Sequence, residues 1–217
     1  MLESLPEELA GLAALPRPVF GHAESVTNRA LGYRHAHPWV QFAHAVAGVL
    51  DVRTDTGRFI APPQRAVWIP AGVAHQVRCS ADTEIRSLYI EPSAVPDVRG
   101  GCRVLAVSPL LRELIRAFGD LPAAYDEHGP GGRLAAVLLD QVAAAPALGL
   151  VLPLPREPRL RRVCEALEAE PDTRDGLAAW SVRLGCSERT LARLFRAHTG
   201  LNFRLWRQRL RLISALP

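Results

Sequence analysis

The chain has 217 residues, 48% of them hydrophobic and 22% charged, with a formal net charge of +4; this is enough apolar material to core one large domain or two small ones and excludes a disordered chain. No run of eighteen apolar residues is present, and the opening MLESLPEELAGL has no basic stretch ahead of its apolar residues, so neither a membrane span nor a signal peptide is expected. Lysine is absent and the arginines are unevenly balanced: residues 156–217 hold 13 Arg against 7 Asp and Glu, residues 1–155 hold 13 against 15, a split expected of a nucleic-acid-binding part joined to a part with another task.

From about Val19 to Val107 the pattern is strand-like. Runs such as WVQFAHAVAGVLDVRT and GRFIAPPQRAVWIP are short, β-rich and punctuated by Pro, Gly and Asp, which predicts an antiparallel barrel or sandwich. TDTGR at 54–58 reads as a hairpin turn, and VRCSADTEIRSLYIEP reads as a second hairpin. Within this region His35, His37, Trp39, Gln41 and Ala43 have one parity and on a single strand would share a face. His44 has the other parity and is expected at the surface or an edge. Pro70, Gly72 and His75 form a turn that starts another strand. Two imidazoles at i and i+2 with a third on a neighbouring strand could converge on an ion at about 2.0–2.1 Å, and Zn, Ni or Co suits imidazole. The same side chains could instead line a pocket for an organic effector, or be hydrogen-bonded within the fold.

After Ser108 the period becomes helical. SPLLRELIRAFGDL puts Leu110, Leu111, Leu114, Ile115 and Phe118 on one side, with Ser108 as cap and Pro109 in the first turn. GGRLAAVLLDQVAAAP is a second helix, with Leu134, Val137, Leu138, Gln141 and Val142 together. Both are more apolar than a small surface helix needs, so a partner is expected to cover them. LGLVLPLPREP reads as a linker, and helices resume from Arg159. The four cysteines, Cys79, Cys102, Cys164 and Cys186, are widely spaced without a C-x-x-C and read as reduced thiols of a cytoplasmic protein.

The last helices carry the sharper signal. Leu177, Trp180, Ser181 and Leu184 lie on one face of a short helix that Gly185 is expected to end. Ser187 caps the next, in which Leu191, Leu194 and Phe195 point inward and Arg189, Arg193 and Arg196 outward. Two helices joined by a short glycine-containing turn make a helix-turn-helix, whose second helix enters the major groove N-terminus first. Arginine suits bidentate contact with guanine and also phosphate. The candidate DNA-contacting residues are Ser187, Glu188, Arg189, Thr190, Arg193 and Arg196; the alternative is a solvated face of a small bundle. Arg207, Arg209 and Arg211, further on, are expected to touch the DNA backbone or remain solvated.

SERTLARLFRAHTGLNFRLWRQRLRL resembles the first DNA-binding half of AraC/XylS-type transcription regulators, with the spacing Ser187, Leu191, Phe195, Gly200 and then the aromatic Phe203 and Trp206 of a connecting helix. H-x-H at His35 and His37, a polar residue at Gln41 and then Gly48 is similar to the first cupin motif, and Pro70-x-Gly72-x-x-His75 to the second. PPQRAVWIPAGVAH resembles the sensor barrel of the same regulator group. The resemblance implies three histidine ligands, His35, His37 and His75, for a divalent metal, with Gln41 where glutamate is usual. It also implies a second helix-turn-helix, absent before Pro217; a truncated chain, a regulator with one such unit per subunit and a partner that blocks longer regulators all fit that absence. The expected fold is α+β: a cupin-like antiparallel β-barrel in 1–107 (core about 18–107), a helical linker or dimerisation segment in 108–150, and an all-α, partial helix-turn-helix unit in 156–217. The expected function is a one-component transcription regulator rather than an enzyme, homodimeric, taking double-stranded promoter DNA and a small-molecule or metal effector, with RNA polymerase as a further partner and no membrane. A metal-dependent cupin enzyme is the remaining alternative, disfavoured by the amide at position 41.

Overall fold

The computed structural model describes residues 14–26, 30–80, 82–95, 100–149 and 151–215, with side chains from 24 to 33 left aside; MLESLPEELAGL and Pro217 lie outside the described residues. The fold is α+β, with antiparallel sheets followed by helices. The chain divides into two compact units, Met1–Thr54 with Phe59–Gly149, and Asp55–Arg58 with Leu150–Pro217.

The first unit contains β1 (Val19–Val26), β2 (Ala30–His35), β3 (Val40–Ala47), β4 (Leu50–Thr54), β5 (Gly57–Ala61, whose first two residues count with the second unit), β6 (Arg65–Ile69), β7 (His75–Cys79), β8 (Thr83–Ile90), β9 (Arg103–Ala106), α1 (Pro109–Gly119), α2 (Pro130–Ala144) and β10 (Ala147–Leu148). One sheet runs β1-β8-β3-β6-β9-β10; the other places β5, β4, β7 and β2 side by side. β4 alternates buried and half-buried residues, as a strand with one covered face should. In β3 residues 40–45 are all buried, because both of its faces are covered. Val40 and Phe42, with Leu88 and Ile90 of β8, share a core with Leu111, Ile115 and Phe118 of α1 and Leu138 and Val142 of α2. Burying each such side chain contributes about 1.5–3 kcal/mol.

Three expectations change here. The run from His35 to Ala43 is not one strand: Pro38, which has no N–H to give to a ladder, falls between β2 and β3, and these belong to different sheets. β7 and β8 do not form a hairpin. β7 pairs with β4 and β2, while β8 pairs with β1 and β3, and the connection crosses between sheets through Asp82 at a left-handed φ of 54°. His44 is not at the surface. It is fully buried, since the outer face of β3 lies under the helices, and its Nε2–H donates to Pro63 O at 3.0 Å. TDTGR does form a two-residue turn, between β4 and β5.

α1 is capped as its sequence predicts, with Ser108 Oγ accepting from Leu111 N at 3.1 Å. Much of the apolar cover expected of a partner is supplied by the unit's own sheet. The exceptions are Leu110 and Val137, expected inward but 55% and 47% exposed.

The second unit contains β11 (Val151–Pro153), α3 (Pro158–Ala169), α4 (Leu177–Arg183), α5 (Glu188–Thr199) and α6 (Phe203–Ser214). α3 buries Leu160, Val163, Cys164 and Leu167, a helical stripe. Burial pushes the Cys164 thiol well up, and all four cysteines are free. Phe195 of α5 meets Phe203 and Trp206 of α6 edge-on at 5.3 and 5.7 Å, and the Trp206 indole N–H donates to Pro153 O at 2.7 Å, giving its buried polar tip a partner.

Candidate functional site

Two places carry the candidate residues. In the first unit, His35 at the end of β2 stands directly opposite His75 at the start of β7. His37 lies in the loop that follows, and its carbonyl takes the N–H of Gly72 at 2.8 Å. That bond, with Gly72 at φ 73°, ties the turn before His75 to the loop carrying His37; a side chain would strain that backbone. Gln41 comes from β3 in the other sheet. The two sequence motifs therefore meet: one ring nitrogen from each of His35, His37 and His75 lies within 4.8 Å of the others.

The hydrogen bonds set the protonation pattern. His37 Nδ1 is 2.8 Å from Trp39 O and His75 Nδ1 is 2.8 Å from Val73 O, so each Nδ1 carries the proton and donates. Burial pushes His75 down to about 3 and lowers His37 as well, with Gln41 and backbone bonds only partly offsetting it. Both rings are thus neutral with lone pairs on Nε2. Gln41 Oε1 sits 3.3 Å from His37 Nε2 and 3.1 Å from His75 Nε2, so three acceptors face one another with no hydrogen between them. Two arrangements resolve this. The amide turns, donating to both Nε2 atoms while its oxygen accepts from Tyr89 O–H, or a cation lies among the lone pairs. Donors about 2.1 Å from a shared ion and at right angles to each other lie about 3 Å apart, so the spacing accommodates the second arrangement as well as the first. The Nδ1–carbonyl bonds are the orienting contacts that metal-bound imidazoles usually have. Trp39 stacks on His37 with ring centroids 6.0 Å apart, is 1% exposed, and its indole N–H has no partner among the described residues. No Asp or Glu joins the cluster among the described residues.

Sequence reasoning missed Tyr89. It reaches the site because β8 pairs with β3 so that Tyr89 faces Gln41, and nothing local in the sequence signals that register.

In the second unit, α4 ends in a two-bond glycine cap: Gly185 N–H goes to Val182 O at 3.1 Å and Cys186 N–H to Ser181 O at 3.0 Å, with Gly185 at φ 62°. Ser187 Oγ then accepts from Thr190 N at 3.1 Å and meets Thr190 Oγ1 at 2.9 Å. Both hydroxyls are thereby engaged in starting α5. α5 buries Leu191, Phe195 and Thr199, while Leu194 is only half-buried and Glu188, Arg189, Arg193 and Arg196 are exposed. Arg207 and Arg209 are half-buried and Arg211 is exposed, and each guanidinium is bonded within the unit. The Arg207 guanidinium donates to Asp175 O at 2.8 Å and to Thr173 O. Arg209 donates to Val151 O and Arg211 to Pro171 O, each at 3.1 Å. These arginines tie α6 to the loop before α4 and to β11.

Residues 18–139 match the family described as the AraC-like ligand binding domain. The chain is 38% identical over 182 residues to the HTH-type transcriptional regulator NimR of Escherichia coli (strain K12), a match covering 84% of this chain and 66% of that protein. The chain thus spans just under two thirds of the length of that relative. Among solved structures, the AraC-like transcriptional activator CuxR is 15% identical, with a TM-score of 0.45 over 92% of this chain and 78% of its own. Wild-type ToxT from Vibrio cholerae with unsaturated fatty acid bound is 8% identical, with a TM-score of 0.38 over 94% and 81%.

Proposed function

Because the chain belongs to the AraC-like ligand-binding-domain family, we propose that it is a one-component transcription regulator that binds double-stranded DNA through α5 and responds to a ligand held by the first unit. The observation that carries the DNA half is the face of Arg189, Arg193 and Arg196, exposed on the second helix of a turn capped by Gly185 and Ser187. The N-terminus of such a helix meets base edges, and arginine there reads guanine or holds phosphate. Ser187 and Thr190 serve the cap, which leaves Arg189 and Arg193 as the base-reading candidates, with Glu188 beside them and Arg196 toward phosphate. NimR is named a transcriptional regulator, which supports regulation over catalysis. No helix among the described residues is long and apolar enough to cross a membrane; with DNA as partner, we place the protein in the cytoplasm. Leu110 and Val137, exposed on α1 and α2, are the surface we assign to a homodimer.

For the sensing half, His35, His37 and His75 with Gln41 Oε1 would hold a divalent borderline metal, Zn, Ni or Co. When bound, the ion would supply Lewis acidity and a positive charge at that point. The residues do the rest: the carbonyls of Trp39 and Val73 hold two rings in the tautomer that presents Nε2, and Gln41 brings a donor from the opposite sheet. Binding to the folded state alone stabilises it by about 2.7 kcal/mol when the ligand is at a hundred times its Kd.

The test is fluorescence anisotropy with the native upstream DNA against random DNA, at two salt concentrations, with and without Zn, Ni or Co. A specific complex that survives competitor, and whose affinity moves with one of the metals, is expected. Equal affinity for both DNAs at both salts would reject sequence-specific reading by this chain.

A further inference from the structure

The histidine cluster poses a problem of charge. Its donors are three neutral imidazoles and an amide oxygen, so an ion held there keeps its full double charge. His37, Gln41 and His75 are 3%, 6% and 0% exposed, and taking an uncompensated charge out of water is costly. No Asp or Glu among the described residues joins the cluster; the buried Glu168 carboxylate lies in the second unit, where it pairs with Arg58. The charge that acts on His75 from outside the cluster is Arg34, which is also positive. Among the described residues, no side chain in the cluster supplies the compensating negative charge. Beside His37 lies a donor suited to an anion: the Trp39 indole N–H, fully buried and without a partner among the described residues, where buried polar groups are ordinarily satisfied.

Resting on the metal reading above, we propose that the ion at His35, His37, Gln41 and His75 is completed by a small exogenous carboxylate, which also accepts the hydrogen bond of the Trp39 indole N–H, so that metal and anion together form the effector. The carboxylate neutralises the site, fills the coordination the four protein donors leave open, and satisfies Trp39. A neutral isostere does only the last. Binding is then ordered: without the metal, the carboxylate meets lone pairs and is repelled. Position 41 decides the matter, because a carboxylate in that place would supply the charge from within.

The experiment uses the 217-residue protein with Co²⁺ as the metal probe, whose visible absorption reports the ligands around it. Acetate and benzoate are titrated in, with acetamide and benzamide as neutral controls, and tryptophan fluorescence is followed in parallel in the unsubstituted protein and in Trp39→Phe, the difference between them reporting Trp39. The expected result is saturable change in the Co²⁺ bands with the carboxylates and not the amides, and no carboxylate binding to the metal-free protein. Trp39→Phe should weaken the carboxylate about fivefold with Co²⁺ affinity unchanged. Gln41→Glu should tighten Co²⁺ about tenfold and weaken the carboxylate by a similar factor. Co²⁺ that binds with bands indifferent to the carboxylates, amides that bind as well as acids, or equal carboxylate binding without metal overturns the proposal and leaves the metal reading standing. Unchanged carboxylate affinity in Trp39→Phe removes Trp39 from it. Failure of Co²⁺ to bind overturns the metal reading and the proposal together.

Discussion

His75 and His44 are both buried histidines whose proton affinity is lowered mainly by burial, and they differ in what their nitrogens face. His75 presents Nε2 to Gln41; His44 gives its Nε2–H to Pro63 O and has Arg112 nearby. Replacing His75 with alanine should abolish Co²⁺ binding in a titration calorimeter while leaving DNA binding by the metal-free protein intact; retained tight binding would remove His75 from the ligand set. His44 should make stability depend on pH. Its folded pKa lies below the unfolded value of about 6.5, so below that pH the unfolded chain takes up a proton the folded chain refuses. The contribution is complete above about pH 6.5 and is lost as pH falls beneath it. Urea unfolding at pH 7.5 and 5.5 should show a smaller drop for His44→Gln than for the unsubstituted protein; equal drops would refute this. The three cluster histidines were legible because their spacing is local. The neighbours that give them chemistry were not: Tyr89 arrives through strand register, and the burial of His44 follows from helices that come some sixty residues later.

At the scale of elements, α5 rests on two local devices, the left-handed Gly185 and the Ser187 cap. Ser187→Ala should lower the stability of the second unit by about 1 kcal/mol, read by thermal melting, and weaken DNA binding only through that loss. Arg189→Ala or Arg193→Ala should instead leave melting unchanged, cost about 1–3 kcal/mol in binding and relax preference at one base position; equal losses on specific and random DNA would exclude base reading. Arg207→Ala belongs with the first class, since its guanidinium holds the carbonyls of Thr173 and Asp175: the melting temperature should fall. Caps, turns and helical periods were readable because they act within four or five residues. Strand partners were not. β7 and β8 are separated by three residues, Ser80 to Asp82, and look like a hairpin, yet each finds its partners elsewhere in the chain. The carbonyl partners of Arg207, Arg209 and Arg211 were hidden in the sequence for a related reason, as they lie 32 to 58 residues away.

Over the whole molecule the charge is divided as the functions are proposed to be, with the arginine excess in residues 156–217. DNA affinity should therefore fall steeply with salt, the slope growing with the number of phosphates neutralised, and alanine at Arg196 should reduce that slope by about one. The two compact units do not, however, correspond to two continuous stretches of sequence. The turn Asp55–Arg58 interrupts the first unit and belongs with the second, where Thr56 O accepts from Leu154 N at 2.9 Å and Arg58 pairs with Glu168 at 3.8 Å. Such a chain cannot be cut and rejoined cleanly at one point. A recombinant that exchanges everything after Gly149 for the corresponding part of a relative inherits a helical half whose Leu154 and Glu168 meet a foreign turn. One that carries residues 55–58 along with it keeps those contacts and should melt higher. Inheritance of sensing and DNA-reading halves as separate modules would thus be constrained by four residues far from the seam.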